Sequence, residues 1–353
     1  MGGEQTASDG TRRSLPIWVP IAAAVGLGAL VAAQGRVSAA LAQRSDVYNG
    51  AWVTVITGTT ILLVILALSP KARMGFRRVG SGLRSRTLPW WTLAGGACGI
   101  FFVVTQGTAA GPLGLAMFGM AVVAGQVVGG LIFDWVGLSG DGKRHPTRLR
   151  VLGSLLAVGA VSWGAVAGEG AKIDVLLILM AFISGVGLAL NSGLNGRVQG
   201  ASSSPPASGL VNHLVGLLAI VTILVVTAPG HWDRFSLPNQ PWLYLGGVIG
   251  PIGIAMSAVL VGRLGVLLLG LGMVAGQLIG ALVLELIVPT AGGGIQVASV
   301  VGIALTLAAV GITSLDGRTK RSADAAETST EPAPHDRATR PREAGEPSGS
   351  AAA

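Results

Sequence analysis

Two glutamines and two acids sit at one spacing, twice over. The stretch "MAVVAGQVVGGLIFDW" (120–135) places Gln126 eight residues before Asp134, and "MVAGQLIGALVLEL" (273–286) places Gln277 eight residues before Glu285. In apolar surroundings a carboxamide can hold a ligand or bridge two helices. A carboxylate there can bind a coupling proton, gate a path, or pair with a basic loop or helix end. Asn191 and Asn195 lie four apart and share a face if their segment is helical, with Arg197 close behind. Arg36 and Arg197 stand in two copies of the tripeptide "GRV" (35–37 and 196–198). They can bind an anionic substrate or snorkel to headgroups as anchors. His213 is the only histidine inside an apolar run; it can carry a coupling proton or serve as a hydrogen-bonded packing residue. The candidate substrate-binding set is therefore Gln126, Gln277, Asn191, Asn195, Arg36 and Arg197. The candidate proton-coupling or gating set is His213, Asp134 and Glu285.

Composition says what must position these groups. Only 11% of the 353 residues are charged and the mean hydropathy is +0.67. A soluble domain carries about 25% charged residues, so the chain reads as an integral membrane protein. Its 55 glycines fit that reading, because small residues let membrane helices approach closely. The single cysteine, Cys98, excludes an internal disulfide framework. The net charge of +8 does not imply nucleic acid. The cations lie in loops between apolar runs, without a stacking aromatic face.

A spanning helix needs about 20 apolar residues. Ten candidates occur, at 16–41, 48–69, 89–108, 112–137, 149–168, 173–195, 207–228, 241–261, 264–288 and 294–315. Lys71, Arg73, Arg77, Arg78, Arg84 and Arg86 fall in the loop 70–88. Lys143, Arg144 and Arg148 fall in 138–148, with Arg150 just beyond. The other side receives only Arg36, Arg44, Lys172 and Arg234. The positive-inside rule then places both termini in the cytoplasm. The first run resembles a secretory signal, but its end has an internal counterpart in the second "GRV", so it reads as retained. The stretch 1–15 reads as a cytoplasmic segment. The tail 316–353 has almost no large apolar residue and reads as disordered.

The chain repeats itself. Gly111–Asp134 aligns with Gly262–Glu285 at 10 identities in 24 positions without a gap. Upstream, "PWWTLAGG" (89–96) matches "PWLYLGGV" (241–248), and "VTVITG" (53–58) matches "VNHLVG" (211–216). His213 has no histidine opposite it in that match, so symmetry does not demand one. The order holds across 16–168 and 169–315, two units of five helices. A second copy of an odd unit enters the membrane from the opposite face, so the halves are expected to be inverted, with a substrate site near the midplane. The fold class is thus all-α, with ten transmembrane helices in two inverted five-helix repeats.

This arrangement, with a "GRV"-like end to the first helix and "AGQ" followed by an acid in the fourth, resembles the drug/metabolite transporter (DMT) superfamily. Within it the chain is similar to the bacterial inner-membrane YdcZ-type family. "AGQVVGGLIFDWVG" (124–137) keeps Gln126, Asp134 and Gly137 of that pattern. The second copy keeps Gln277, has Glu285 as the acid and lacks the glycine. The resemblance implies a transporter class without naming a substrate.

No P-loop, HExxH or convincing Ser/His/Asp set occurs, so the chain is not expected to be an enzyme, and neither cofactor nor metal is expected. The reading is a secondary transporter, in all an exporter of a small organic metabolite or drug by alternating access, residing in the bacterial plasma (inner) membrane. The partners expected are a small-molecule substrate and the lipid bilayer, with no nucleic acid; a homodimer is allowed. The alternative is a non-transporting membrane scaffold or sensor that works through a protein partner of the tail.

Overall fold

The structure is a computed structural model. It describes residues 16, 18–44, 46–138, 147–167, 174–227, 237–288, 297, 300–309 and 311–312. The segments 1–15 and 316–353 and most of 138–148 and 289–299 lie outside the described residues.

The described residues are mostly helical, joined by short turns, and include no strand. In chain order they form α1 (Trp18–Arg44), α2 (Val47–Leu68), α3 (Pro70–Arg84), α4 (Gly95–Leu113), α5 (Leu115–Val136), α6 (Arg148–Ala167), α7 (Val175–Ser202), α8 (Pro205–Thr227) and α9 (Leu245–Ile287). A short α10 follows at Val300–Ala309. One-turn 3-10 segments, Trp90–Ala94 and Pro241–Tyr244, lead into α4 and α9. Six of these helices are long and apolar enough to cross a membrane: α1, α2, α4 with its leading turn, α5, α7 and α8. The loop reading of 70–88 is corrected, because Ser69 accepts from the Ala72 amide and Pro70 opens a 15-residue helix. A Ser cap with Pro in the first turn is a helix start.

Two predicted spans, 241–261 and 264–288, fall within the single helical run of α9. Its 43 residues are not a straight rod. The Ser257 hydroxyl lies 4.0 Å from the Met273 sulfur, whereas sixteen residues of straight helix span about 24 Å. The contacts with α1 show the reversal. Gly246 meets Val37 and Gly253 meets Leu27, so the first arm runs down α1. Gly272 meets Ala24, Gly276 meets Val25 and Gly280 meets Ala29, so the second arm runs back up it.

α5 occupies the middle. Almost every residue from Leu115 to Gly125 is buried, in one cluster with side chains of α1, α4, α6, α7, α9 and α10. Phe102 of α4 tilts against Phe118 of α5 at 6.2 Å between centroids. Lipid tails are as apolar as leucine, so helices in a bilayer gain from close van der Waals packing more than from leaving the solvent. Glycine supplies that closeness at two crossings. On α5 and α7, a Cβ at Gly125 would collide with the Phe182 carbonyl, one at Gly185 would collide with the Val122 carbonyl, and one at Gly129 would lie 3.1 Å from Ala189. On α9 and α1, a Cβ at Gly276 would collide with the Val25 carbonyl, one at Gly28 would collide with the Met273 carbonyl, and one at Gly280 would lie 3.4 Å from Ala32.

These are the same contacts twice. Gly125, Gly129 and Val122 stand 151 residues before Gly276, Gly280 and Met273, while Val25, Gly28 and Ala32 stand 157 before Phe182, Gly185 and Ala189. The first helix of each copy packs on the fourth helix of the other. The packing also corrects the sequence registers. In this frame Asn191 corresponds to Gln34 and Asn195 to Ser38, so the two "GRV" tripeptides are one helical turn out of step. Gly95 and Gly96, which meet Leu194 and Asn212, correspond to Gly246 and Gly247, which meet Val37 and Thr54. The "PW" blocks are therefore one residue out of step, and Thr54 corresponds to Asn212, which leaves Val55 opposite His213. A shared tripeptide or dipeptide fixes register less firmly than a backbone crossing.

These crossings predict a sign difference between glycines. Gly276→Leu and Gly125→Leu should each lower the thermal midpoint in detergent, by the roughly 1–3 kcal/mol or more of overpacking, because the obstructing atom is a backbone carbonyl. Gly159→Ala, with open space at its Cβ, should hold or raise it by up to ~1 kcal/mol. Equal midpoints for all three would refute the packing role.

Candidate functional site

Three helices meet at a polar junction. The Asn212 amide of α8 donates to Asn191 Oδ1 of α7 at 2.9 Å. α4 admits the pair through Gly95 and Gly99. A Cβ at Gly95 would lie 2.9 Å from Asn191 Oδ1, and one at Gly99 would lie 3.4 Å from Asn191 Nδ2 and 3.7 Å from Asn212 Oδ1. The sequence reading singled out Asn191 but not its partner. The six-residue match between "VTVITG" and "VNHLVG", with the polar Thr54 and Asn212 at the same place, was the available signal.

The equivalent junction in the first copy brings α1, α2 and the first arm of α9 together. Here Thr54 donates to its own helix, to Gly50 O at 2.9 Å. His213 enters from α8. Its Nδ1 lies 3.0 Å from the Gly209 carbonyl. A carbonyl only accepts, so Nδ1 carries the proton there. Nε2 is left facing Gly58 and Gly250, 2.7 and 3.6 Å from a Cβ built at each. The imidazole thus packs its other ring nitrogen against glycines of α2 and α9.

The acids stand at opposite ends of the two crossings and have different partners. Glu285 is buried and accepts from the Leu115 amide at 3.0 Å, joining the second arm of α9 to the first turn of α5. That amide is among the first N–H groups of a helix, which lack an intrahelical partner and carry partial positive charge. Asp134, the matched acid, is held instead by Arg150 of α6 at 2.9 Å. Arg197 sits beside it: its Nε and Nη2 donate to the carbonyls of Leu138 and Gly137 at 2.8 and 3.1 Å, closing the end of α5. Its guanidinium also lies over Trp91 at 5.2 Å from the ring centroid. The matched stack is Arg44 on Trp242, also at 5.2 Å, so Arg44 and not Arg36 plays the part of Arg197 in the first copy. The donors of Arg197 are engaged as a helix cap, a role cations fill at helix C-termini. Arg36 and Asn195 are half-buried and make no hydrogen bond to another described residue.

The two ends differ in closure. Around the far end of α1, a Cβ at Gly35 would lie 2.9 Å from Gln106 Nε2 and 3.6 Å from Leu115 Cδ2. Ala39 is 1% exposed; beyond it Gly107 and Gly111 of α4 approach Ala42 and Gln43 around an outward-opening pocket of about 490 Å³ that Val47, Thr108 and Pro112 also line. The equivalent positions on α7 are Ser192, Gly196, Gln199 and Gly200. All are exposed, and Gly196 and Gly200 have open space where a Cβ would stand. The close-packed end also buries Ser38 Oγ, Thr105 Oγ1 and Gln106 Oε1 without hydrogen-bond partners. Such orphans are uncommon and cost roughly 1–3 kcal/mol each. None of the three was singled out from sequence, since isolated polar residues in an apolar run do not reveal depth.

Gln126 and Gln277 are half-buried, one residue after the crossing glycines, without a hydrogen bond to another described residue. Their backbone nitrogens face Gly185 and Gly28. The carboxamides therefore stand beside the two crossings with capacity to spare. Among the described residues no group of three or more His, Cys, Asp or Glu could hold a metal.

A family model described as "Putative inner membrane exporter, YdcZ" matches residues 19–163 and 176–312. No curated protein matches the chain. A solved structure titled "Crystal structure of protein" is similar over 86% of this chain and 98% of its own, at 15% identity and a TM-score of 0.51; that likeness is one of fold alone.

The Asn191–Asn212 bond supplies a prediction. A double-mutant cycle with Asn191→Ala and Asn212→Ala, read by thermal unfolding in detergent, should give a coupling of about 0.6 kcal/mol, the average for such bonds in membranes. Additive effects would show that the two amides act independently.

Proposed function

Because this chain belongs to the YdcZ inner-membrane exporter family, we propose that it is a secondary transporter that exports a small organic solute by alternating access. Ten transmembrane helices would form two inverted five-helix halves, with both termini in the cytoplasm. The observation that carries this reading is the pair of equivalent crossings whose ends differ: α1 packs closely on α4 and α5 from Gly35 to Ala39, with only a pocket of about 490 Å³ at its last turn, while the matching positions of α7 are all exposed. Near-equivalent halves can exchange such conformations, and the exchange moves access from one side to the other.

With the N-terminus inside, the close-packed end faces outward and the open end faces the cytoplasm. Substrate would enter past Asn195 and Asn191, beside Gln126 and Gln277 at the crossings. Glu285 on the α5 amide latches the outer end. In the other state Asp134 leaves Arg150 and takes the matched role at the start of the second arm of α9. The orphaned hydroxyls and carboxamide of Ser38, Thr105 and Gln106 support this cycle. They raise the free energy of the close-packed state and gain water when the outer end opens, which keeps two states within a few kcal/mol of each other.

The experiment combines flux with access. In liposomes, purified protein should drive exchange of at least one compound from a panel of small organic solutes. In a Cys98→Ser background, Gly196→Cys should react with an impermeant thiol reagent from the cytoplasmic side, while Ala39→Cys stays unreactive from outside until Glu285→Ala is added. No flux from well-folded protein across a broad panel would sink the transporter reading. Reaction of Ala39→Cys as fast as Gly196→Cys would sink the single-sided access.

A further inference from the structure

In the first copy α3 occupies the stretch between the second and third spans; the corresponding stretch of the second copy, 228–240, is shorter, and 228–236 lie outside the described residues. Its face toward the protein is small and apolar. Ala72, Gly75 and Val79 are buried, and a Cβ at Gly75 would collide with Ser204 and lie 3.1 Å from Ala207 at the α7–α8 junction. The opposite face carries Lys71, Arg73, Arg77, Arg78 and Arg84, all exposed, with exposed Arg86 just beyond. No acid occurs anywhere between Asp46 and Asp134, nor between Val175 and Thr227, the two helices against which α3 packs. Arg73 reaches back to the Ala67 carbonyl at 3.2 Å and Arg78 touches the Met74 sulfur at 3.5 Å. Lys71, Arg77, Arg84 and Arg86 make no hydrogen bond or ion pair with another described residue.

We infer that α3 lies in the plane of the membrane surface and that its cationic face binds the headgroups of anionic phospholipids. Depth decides for a lipid over a nucleic acid or an acidic protein. α2 is a spanning helix that ends at Leu68, 78% exposed, and the next span opens at Trp90, 79% exposed. Tryptophan at that position marks the bilayer interface. Both ends of α3 are therefore fixed at one membrane surface. Met74, 52% exposed in the middle of the cationic face, suits a layer where acyl chains and headgroups meet. Each cation held near an anionic surface strengthens association about fivefold. This inference does not depend on the transport reading.

The test uses the full chain in a neutral detergent, titrated with phosphatidylglycerol or, separately, phosphatidylcholine. The readouts are the thermal midpoint and the lipids retained in native mass spectrometry. Wild type should gain several degrees and retain phosphatidylglycerol at low salt, lose most of that gain in high salt, and ignore phosphatidylcholine. The triple variant Arg77→Gln, Arg78→Gln, Arg84→Gln should have the wild-type midpoint without lipid. Its apparent affinity for phosphatidylglycerol should fall on the order of 100-fold. Arg77→Lys, Arg78→Lys, Arg84→Lys should restore it, which separates charge from folding. An equal response to the two lipids, or a full phosphatidylglycerol response in the glutamine variant, overturns the inference. Absence of any lipid response in wild type overturns it as well.

Discussion

The fold depends on two places where one helix backbone lies directly on another. At each, a glycine on either side brings a carbonyl to where a side chain would otherwise stand. In a bilayer this closeness replaces the water-driven burial that holds a soluble core together. The contacts also tie the copies to each other, since the first helix of each lies on the fourth helix of the other. α5 and the second arm of α9 each carry one of these crossings.

What surrounds these crossings is unequal. One end of the pair is filled by α4 and α5 closing on α1, and there polar groups are buried without partners. At the matching end α7 stands away, and the polar groups face outward. A duplicated sequence in an asymmetric arrangement can in principle adopt an equivalent arrangement with the ends exchanged, and the proposed alternating access would use that exchange. The matched acids express this: Glu285 holds an amide across the bundle while Asp134 is held by an arginine on the next helix.

Polar side chains that look alike in the sequence separate into different work. Arg197 closes a helix end and lies on Trp91, so it serves architecture. Asn191 and Asn212 satisfy each other across a glycine face, and His213 presents an unbonded nitrogen to another. Gln126 and Gln277 keep their hydrogen-bonding capacity beside the crossings. The distinction is one of partners, and partners come from other helices.

Much was legible beforehand, for reasons that are local. Long apolar runs define spanning helices because hydrocarbon tolerates few charges, and "AGQ" with an acid eight residues on was enough to detect the duplication. α3 went unseen as a helix because a search for spans passes over a short amphipathic segment, although Ser69 and Pro70 announced its start. The registers drawn from "GRV" and "PW" slipped by four residues and by one. A helix surface repeats every turn, and short identities cannot choose between turns. Composition and periodicity by themselves determined a membrane protein of duplicated helical halves. Only the tertiary structure decided which glycines touch, that α9 turns back on itself, that Arg44 rather than Arg36 mirrors Arg197, and which end is closed, because each of these is a contact between residues far apart in the chain.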